Sequence, residues 1–505
     1  MKTRRAHASQ VPVKPLRPGP RGWLGHGRGE DALLEAPVEY RGTTVQVCGL
    51  WPWAVGAGTP NVGVPFGRHL QTGATLCCDP ISWYQQAGLI SNPSAFILGL
   101  PGLGKTSAVM HMCVGLAGFG VLPLVLGDTR PDYLSMIQAL DGQVIPLGRG
   151  RGAINVLDPG EAPAAAERLR ANGRHKEAGE LLADTHGLRL NMLSSLITIL
   201  RKSPPDVREE TILARALTWL DTHHDGPATL VDLLAVIRQA PAELREVALD
   251  RGSSARYQEV TEHLEASLVA LCPGGRFGDI FARQTTAPMR RDRAVVFDVS
   301  AIPHSESDLR AATLLASWTA GFATVGIAQT LADAGLEPRR HYLVVLDELH
   351  QALRAGPGLV DRVDYLTRLN RTVGVGLAMI THTMKDLAAL PLPEDRSKAL
   401  GFVERSGIVI CGGLPLAELG DDSGQLGSVV PMSDAERSML AGWQSPPSWD
   451  AHPGDQPPPG RGKFLVKVGG RPGIPVEVVL TEAERSLSMS STRWTANSRI
   501  GADTR

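Results

Sequence analysis

Short continuous apolar runs separated by helical segments dominate the two halves of the chain. In the first half the runs are Ala95–Leu98, Val121–Leu126 and Val144–Leu147, and in the second half Ala294–Val299, Tyr342–Leu346, Gly376–Ile380 and Ile408–Cys411. Runs of this length and composition are typical of strands that are buried on both faces. Because helical segments such as Thr106–Ala117 lie between them, the pattern predicts an α/β fold with a mostly parallel sheet and right-handed crossovers.

Between the two halves the periodicity becomes helical from Glu161 to about Leu271. Apolar residues there share helix faces, for example Met192, Leu193, Leu196, Ile197 and Leu200. We therefore predict an all-α insertion over residues 161–275. It divides the α/β core into a first part, 39–160, which includes amino-terminal strands, and a second part, 276–443.

The two ends of the chain differ in amino-acid composition from the regions between them. Residues 1–38 include seven Lys or Arg in the first 28 positions and little to bury, which predicts a disordered basic tail. Residues 444–462 contain six prolines and are predicted to form a loop. The remaining residues, 463–505, are predicted to form a hairpin, with strands at Lys463–Val468 and Val476–Leu480, and a tail.

One stretch, Ala311–Ala332, is long enough to be tested as a membrane span. It has 22 residues and no charge, but four Thr, one Ser, one Gln and two Gly dilute its apolar character. Strands lie close before and after it. The context predicts a buried helix of the α/β domain, and hence a chain with no intrinsic membrane span.

Length, charge and cysteine usage narrow the class of protein. A chain of 505 residues predicts more than one domain. Its formal net charge of -1 argues against a uniformly basic nucleic-acid-binding surface, so contact with DNA would be local. None of the six cysteines forms a C-x-x-C pair, which favours reduced thiols and a cytoplasmic location.

The stretch GLPGLGKTS carries the clearest chemistry. It consists of Gly99, Leu100, Pro101, Gly102, Leu103, Gly104, Lys105, Thr106 and Ser107, and it fits the pattern G-x-x-x-x-G-K-[ST]. Glycines let successive backbone N–H groups turn inward around phosphates. Lys105 supplies a charge for the β- and γ-phosphates, and Thr106 a hydroxyl for Mg²⁺. The strand before and the helix after the stretch predict a phosphate loop that binds ATP.

A loop of this kind needs a carboxylate from a neighbouring strand. The run HYLVVLDELH, residues 341–350, supplies one by delivering Asp347 to the magnesium and Glu348 to the attacking water. One carboxylate acts through the metal and the other as a general base. Together the two motifs predict an ATPase.

A third segment, 367–387, offers candidates for the γ-phosphate. His382 follows the strand Gly376–Ile380, where a polar sensor is expected, although a purely structural histidine remains an alternative. Arg368 and Arg371 precede the strand. In ring ATPases an arginine reaches the transition state from the next subunit, and we choose Arg371 for this role over a plain surface arginine.

Other candidates have simpler interpretations. Asp298 ends a strand and is more often structural in such a place. His223, His224 and Asp225 could bind a metal, but they have no partner cluster in the sequence and favour a solvated loop. The basic run Arg290, Arg291 and Arg293 fits either a solvated turn or the lining of a channel.

With these motifs identified, the chain resembles the conjugative mating-pair-formation ATPases of type IV secretion systems, the TraC and VirB kind. That family belongs to the HerA and FtsK group of RecA-like ring motors. The resemblance runs from about Asn61 to Trp494. Beyond the phosphate loop and DELH it rests on GVPFGR (63–68), VLGDTRPDY (125–133), AINVLDPG (153–160), FGDIFARQTT (277–286) and the closing segment 462–485.

The resemblance implies a RecA-like P-loop fold and a hexameric ring that uses ATP and Mg²⁺. It also implies a position at the inner face of the cell membrane, against the subunits of a type IV secretion channel. Family members usually carry Gln where this chain has His382. They also have a large amino-terminal docking domain, whereas 98 residues precede Gly99 here. We expect a separate subunit to supply the docking function.

Three alternatives remain open. A DNA pump of the FtsK or coupling-protein type usually carries membrane spans or a winged-helix DNA reader, and the sequence shows neither. A HerA-like motor that processes DNA ends is the second. The third is a nucleotide-dependent switch with little turnover, against which Glu348 argues because a switch does not need a second carboxylate.

Overall fold

One mixed sheet of eleven strands runs through the part of the chain that this computed structural model describes, residues 59–361, 363–364, 374–390, 392–444 and 458–487. The strands are β1 Pro65–His69, β2 Thr75–Cys77, β3 Ser94–Leu98, β4 Val121–Asp128, β5 Gln143–Pro146, β6 Val295–Asp298, β7 His341–Leu346, β8 Val375–Ile380, β9 Ile408–Cys411, β10 Lys463–Lys467 and β11 Ile474–Glu477. Apart from Leu70–Gly73, the described residues belong to one compact unit.

The order across the sheet is β2-β1-β11-β10-β9-β3-β8-β7-β4-β6-β5. From β9 to β5 all neighbours are parallel. Strands β3, β8 and β9 are buried along their whole length, as expected for strands covered on both faces. The predicted α/β fold with a mostly parallel sheet is confirmed, and β3, β8 and β7 end side by side at one edge of it.

The other four strands extend this sheet in antiparallel fashion. β10 pairs with β9 and with β11, and β11 pairs with β1 through Arg68 and Glu477. The amino-terminal strands and the closing hairpin therefore complete the sheet of the core. The second strand of that hairpin was predicted at Val476–Leu480, but it begins at Ile474 and ends at Glu477, because residues 474–476 face β10 and are buried.

Helices cover the faces of the sheet. They are α1 Pro80–Gln85, α2 Lys105–Gly118, α3 Leu134–Ala139, α4 Ala162–Ala171, α5 His175–Arg201, α6 Val207–His223, α7 Leu230–Gln239, α8 Ala242–Ala248, α9 Ser254–Leu271, α10 Gly278–Phe281, α11 Ser307–Asp333, α12 Leu349–Leu353, α13 Met384–Ala388, α14 Pro393–Glu404, α15 Leu416–Leu419, α16 Asp434–Trp443 and α17 Glu482–Leu487. A 3₁₀ turn spans Leu426–Ser428.

The helices α4–α10 all lie between β5 and β6 in the chain, in and around the region predicted as an all-α insertion. The apolar faces of α5–α9 join those of the strands in one core, in which Leu193 and Leu213 belong to the same cluster as Phe96 and Leu124. Capping fixes where these helices begin. In α6, for example, Asp206 and Glu209 form a reciprocal capping box.

Helix α11 contains the apolar stretch tested above as a membrane span. Within the described residues it is the one helix long and apolar enough to cross a membrane, and 72% of its most apolar window is buried inside the protein. It lies against β4, where the Ser317 hydroxyl donates to the Leu126 carbonyl at 2.7 Å. A Cβ at Gly321 would approach the end of the Leu126 side chain to 2.5 Å, so a larger residue there would require Leu126 to shift. The predicted buried helix is confirmed.

Candidate functional site

The predicted phosphate loop connects β3 to α2 at the carboxyl edge of the sheet. Gly99 and Gly104 have φ angles of 154° and 95°, which side chains rarely adopt. A Cβ at Gly99 would lie 3.0 Å from Gly412, so the backbones of two loops meet there. Pro101 and Gly102 are exposed at the tip, and Lys105, Thr106 and Ser107 form the first turn of α2.

Neighbouring loops hold this loop through its backbone. The Gly99 N–H donates to the carbonyl of His382 at 3.0 Å, and the Leu100 N–H to that of Gly413 at 3.1 Å. On the other side the Gly462 N–H donates to the Leu103 carbonyl at 2.9 Å. The shape of the loop is therefore fixed by the ends of β8 and β9 and by the turn before β10.

Lys105 is buried, with 7% of its surface exposed, and points back across the loop. Its Nζ lies 2.5 Å from the Gly99 carbonyl oxygen, 3.2 Å from that of Leu100 and 3.2 Å from Nδ1 of His382. Burial lowers the pKa of Lys105 to about 8, although the charges of Asp347 and Glu348 act to raise it. Its ammonium group is thus poorly solvated and close to both carboxylates.

Asp347 and Glu348 follow β7 directly. The Tyr133 hydroxyl donates to Asp347 Oδ2 at 3.2 Å, and the Glu348 N–H donates to Oδ1 at 2.8 Å. Burial, reinforced by the charge of Glu348, raises the pKa of Asp347 to about 6. A cation beside Asp347 would relieve both effects, which fits a carboxylate that binds a metal ion.

Glu348 has a left-handed backbone conformation, with φ of 53°, and lies between two histidines. Its Oε1 is 3.4 Å from Nε2 of His382 and its Oε2 is 3.5 Å from Nδ1 of His350. Burial acts to raise the pKa of Glu348, but His382 and then His350 outweigh it and lower that pKa to about 2. The site thus places an ionised carboxylate beside the phosphate loop.

Residues at the end of β8 complete the site. The Thr381 N–H donates to the Ile97 carbonyl at 3.0 Å, which ties β8 to β3 just before the loop. The Thr381 hydroxyl is buried and has no hydrogen-bond partner among the described residues. His382 follows and connects Lys105 with Glu348. A polar group left without a partner at this position fits a site that receives a polar ligand.

Arg368 and Arg371 lie outside the described residues. Two residues that sequence reasoning did not single out do contribute to the site. His350, in α12, contacts Glu348, and its position two residues later in the sequence was the available signal. Arg130, exposed on the loop after β4, acts electrostatically on both Lys105 and Glu348. No motif or periodicity in the surrounding sequence indicated this role for Arg130.

The neighbouring strand ends carry acids with other partners. Asp128 accepts the N–H of Tyr133 at 2.9 Å, and burial raises the pKa of Asp128 to about 8. Asp298 accepts from the N–H and the hydroxyl of Ser300 and pairs with Arg151. Asp298 thus has the contacts of a structural residue, in agreement with the simpler interpretation of the sequence.

The weaker candidates have ordinary partners. His223 stacks on Trp219, and His224 contacts the Gly226 carbonyl. The described residues contain no group of three or more His, Cys, Asp or Glu that could hold a metal ion. In the basic run, Arg290 forms an exposed pair with Asp292 and Arg291 pairs with the largely buried Glu337, so the run is a turn held by ion pairs.

The geometry can be compared with that of solved structures. The chain superimposes on VirB4 of Thermoanaerobacter pseudethanolicus with a TM-score of 0.59 and 18% sequence identity, covering 85% of this chain and 100% of that one. The chain has the fold of VirB4. Identity at this level establishes the fold alone, because one fold supports many functions.

The VirB4 fold agrees with the RecA-like fold that the resemblance predicts. Weaker likenesses include the bacterial conjugative coupling protein TrwBdeltaN70, with a TM-score of 0.48, 11% identity and coverage of 77% of this chain and 86% of that one. Another is TrwB in complex with ADP and Mg²⁺, with a TM-score of 0.46, 11% identity and coverage of 77% and 85%. No family model and no curated protein matches the sequence.

Proposed function

We propose that this protein hydrolyses ATP to ADP and phosphate with the help of Mg²⁺. One observation carries the proposal. A glycine-shaped loop, a buried lysine and two carboxylates, which come from segments more than 240 residues apart in the sequence, meet at the carboxyl edge of a parallel sheet. Lys105 lies close enough to Asp347 and Glu348 for their charges to alter its pKa. This is the set of groups that phosphoryl transfer to water requires.

Each group has a distinct task. The loop of residues 99–104 cradles the phosphates, with donors from the backbone N–H groups of residues 102–104 and from Ser107 at the start of α2, and Lys105 neutralises the phosphate charge. Thr106 and Asp347 hold the Mg²⁺, which supplies charge stabilisation to the phosphates when bound. Glu348 accepts the proton of the attacking water. His382 contacts the γ-phosphate, and Arg371 of the neighbouring subunit stabilises the transition state.

The arginine in trans implies assembly, and we propose a hexameric ring with ATP bound between subunits. The VirB4 fold and the resemblance of the sequence support a place in type IV secretion. There, hydrolysis would power assembly of the channel or pilus, or transfer of a DNA–protein substrate. The ring would lie in the cytoplasm against channel subunits at the inner face of the membrane, with at most transient contact with DNA.

The test is ATP turnover per subunit, measured against protein concentration for wild type and Arg371→Ala, with and without single- and double-stranded DNA. Arg290→Ala is the matched control, because Arg290 is a surface arginine paired with Asp292. We expect wild-type turnover to rise steeply with concentration, to be insensitive to DNA, and to be lost in Arg371→Ala alone.

Two results would change the proposal. Strong stimulation by DNA would favour a DNA-translocating motor of the FtsK, coupling-protein or HerA type. Turnover per subunit that does not change with protein concentration and is indifferent to Arg371 would exclude an active site shared between subunits.

A further inference from the structure

Four side chains of the candidate site form one continuous chain of contacts. Lys105 contacts His382 at 3.2 Å, His382 contacts Glu348 at 3.4 Å, and Glu348 contacts His350 at 3.5 Å. These residues come from the start of α2, the second residue after the end of β8, the residue before α12 and α12 itself. Each carboxylate oxygen of Glu348 therefore faces one imidazole nitrogen, and one of these imidazoles also contacts the lysine of the phosphate loop.

The direction of these contacts follows from the donors available. A lysine ammonium can only donate, so Nδ1 of His382 accepts from Lys105 and its proton lies on Nε2. That Nε2–H faces Glu348 Oε1. The tautomer of His382, and with it the contact to Glu348, thus depends on Lys105 staying where it is.

The other histidine has a different dependence. His350 lies 3.5 Å from Glu348 Oε2, and its Nδ1 is buried with no hydrogen-bond partner in the described residues. Its position in α12 does not depend on Lys105. The rings of His350 and His382 are 5.6 Å apart and tilted by 50°, so Glu348 is approached from two directions.

On the basis of the proposed function, we propose that His350 is a positioning residue for the general base Glu348 and that His382 couples it to the phosphate loop. While Lys105 lies on the loop carbonyls, His382 and His350 each face one carboxylate oxygen of Glu348. When Lys105 turns to the phosphates, His382 loses the donor that fixes its tautomer. Glu348 Oε1 is then released towards water, and His350 keeps Oε2 in place.

The first test separates positioning from structure. Steady-state ATP hydrolysis, nucleotide affinity and Tm are measured for wild type, His350→Ala and His350→Gln. His341→Gln is the control, since His341 is at the opposite end of β7. We expect His350→Ala to lower kcat about tenfold or more, with KM and Kd within about twofold of wild type. His350→Gln, which keeps a donor, should recover most of that loss.

The outcomes distinguish the two proposals. Absence of hydrolysis in wild type would contradict the proposed function itself. If wild type and His341→Gln turn over normally and His350→Ala does as well, only the role of His350 is wrong. A loss of kcat in His350→Ala that comes with equal losses in affinity and Tm, without recovery in His350→Gln, would make His350 merely structural.

The second test observes His382 directly by ¹⁵N NMR of histidine-labelled protein, with its resonances assigned from the His382→Gln variant. Saturation with a non-hydrolysable ATP analogue and Mg²⁺ should move the Nδ1 resonance of His382. Lys105→Ala protein without nucleotide should already show the moved position. Identical Nδ1 resonances in all three samples would overturn the coupling.

Discussion

The two ends of β7 each present a glutamate that is almost equally buried, and they hold it in opposite ways. Before the strand, Glu337 has 12% of its side chain exposed and is bound by Arg291, Arg168 and Arg340 at 2.7–2.9 Å. After the strand, Glu348 has 11% exposed and is approached by His382 and His350 at 3.4 and 3.5 Å. Both environments lower the pKa of the carboxyl group.

The difference lies in what surrounds each carboxylate. Arginines are permanently charged and their planar groups fix a carboxylate bidentately, so Glu337 ties together α4, the turn at Arg291 and the loop before β7. His382 and His350 make longer contacts with Glu348, and His382 also contacts Lys105. Burial alone therefore does not distinguish these two acids, whereas the type and the length of their contacts do.

The largest effect is expected for Lys105→Ala, which tests whether the Glu348 end of β7 binds a ligand. If the Glu348 end is a ligand site, loss of Lys105 should weaken ATP binding at least about 100-fold, roughly 3 kcal/mol, because a charge-assisted contact to phosphate is lost. Tm should change little, because burial already disfavours the charged form of Lys105 and the variant removes that desolvation cost. Binding is measured by titration calorimetry.

Arg340→Ala is the matched control at the Glu337 end. It should bind ATP as wild type does but unfold at a lower temperature. Equal ATP affinity in Lys105→Ala and wild type would contradict the assignment of the site.

The second-largest effect is expected on the stability of the folded protein when Glu337 is changed. Glu337→Gln should lower the free energy of unfolding by about 2 kcal/mol, because three arginines lose a charged acceptor, and should leave turnover unchanged. The folded-state pKa of Glu337 lies below its ordinary 4.5, so its stabilisation is complete above that pH and is lost as the pH falls towards the folded-state value. Denaturant unfolding at several pH values measures this. A variant as stable as wild type at pH 7 would mean that the ion pairs between Glu337 and the three arginines do not stabilise the folded protein.

The smallest effect concerns Asp128, the buried acid at the end of β4. Burial raises the pKa of Asp128 to about 8, so the folded protein keeps a proton there that the unfolded chain releases near 3.8. The contribution of Asp128 to stability should therefore fall as the pH rises from about 4 to 8. Asp128→Asn should remove this slope and be more stable at pH 8 by about 1 kcal/mol or more. An unchanged pH slope in the variant would show that Asp128 is ionised in the folded protein.

The strands of the parallel part could be predicted within one or two residues. β3, β7, β8 and β9 are continuous apolar runs bounded by polar or glycine residues, and burial on both faces enforces that pattern locally. The positions of residues 99–107 between β3 and α2 and of Asp347 and Glu348 directly after β7 were likewise predictable, because both segments adjoin such apolar runs in the sequence.

What the sequence did not reveal depends on contacts between distant segments. Lys105 and His382 are 277 residues apart, and His111 of α2 contacts Glu484 of α17 across 373 residues. The addition of β10 and β11 beside β9 likewise needs the three-dimensional sheet. The position of His350 two residues after Glu348, in the short helix α12, was the only signal in the sequence, and its contact with Glu348 is seen only in the structure.

ATP turnover by wild type and Glu348→Gln, with the nucleotide bound to each protein identified after quenching, tests the central claim most directly. The account predicts that wild type hydrolyses ATP, whereas Glu348→Gln retains bound ATP and turns over at least about 100-fold more slowly, because the general base is lost. Turnover by Glu348→Gln at the wild-type rate would contradict it, since the carboxylate held between the two histidines would then have no part in the reaction.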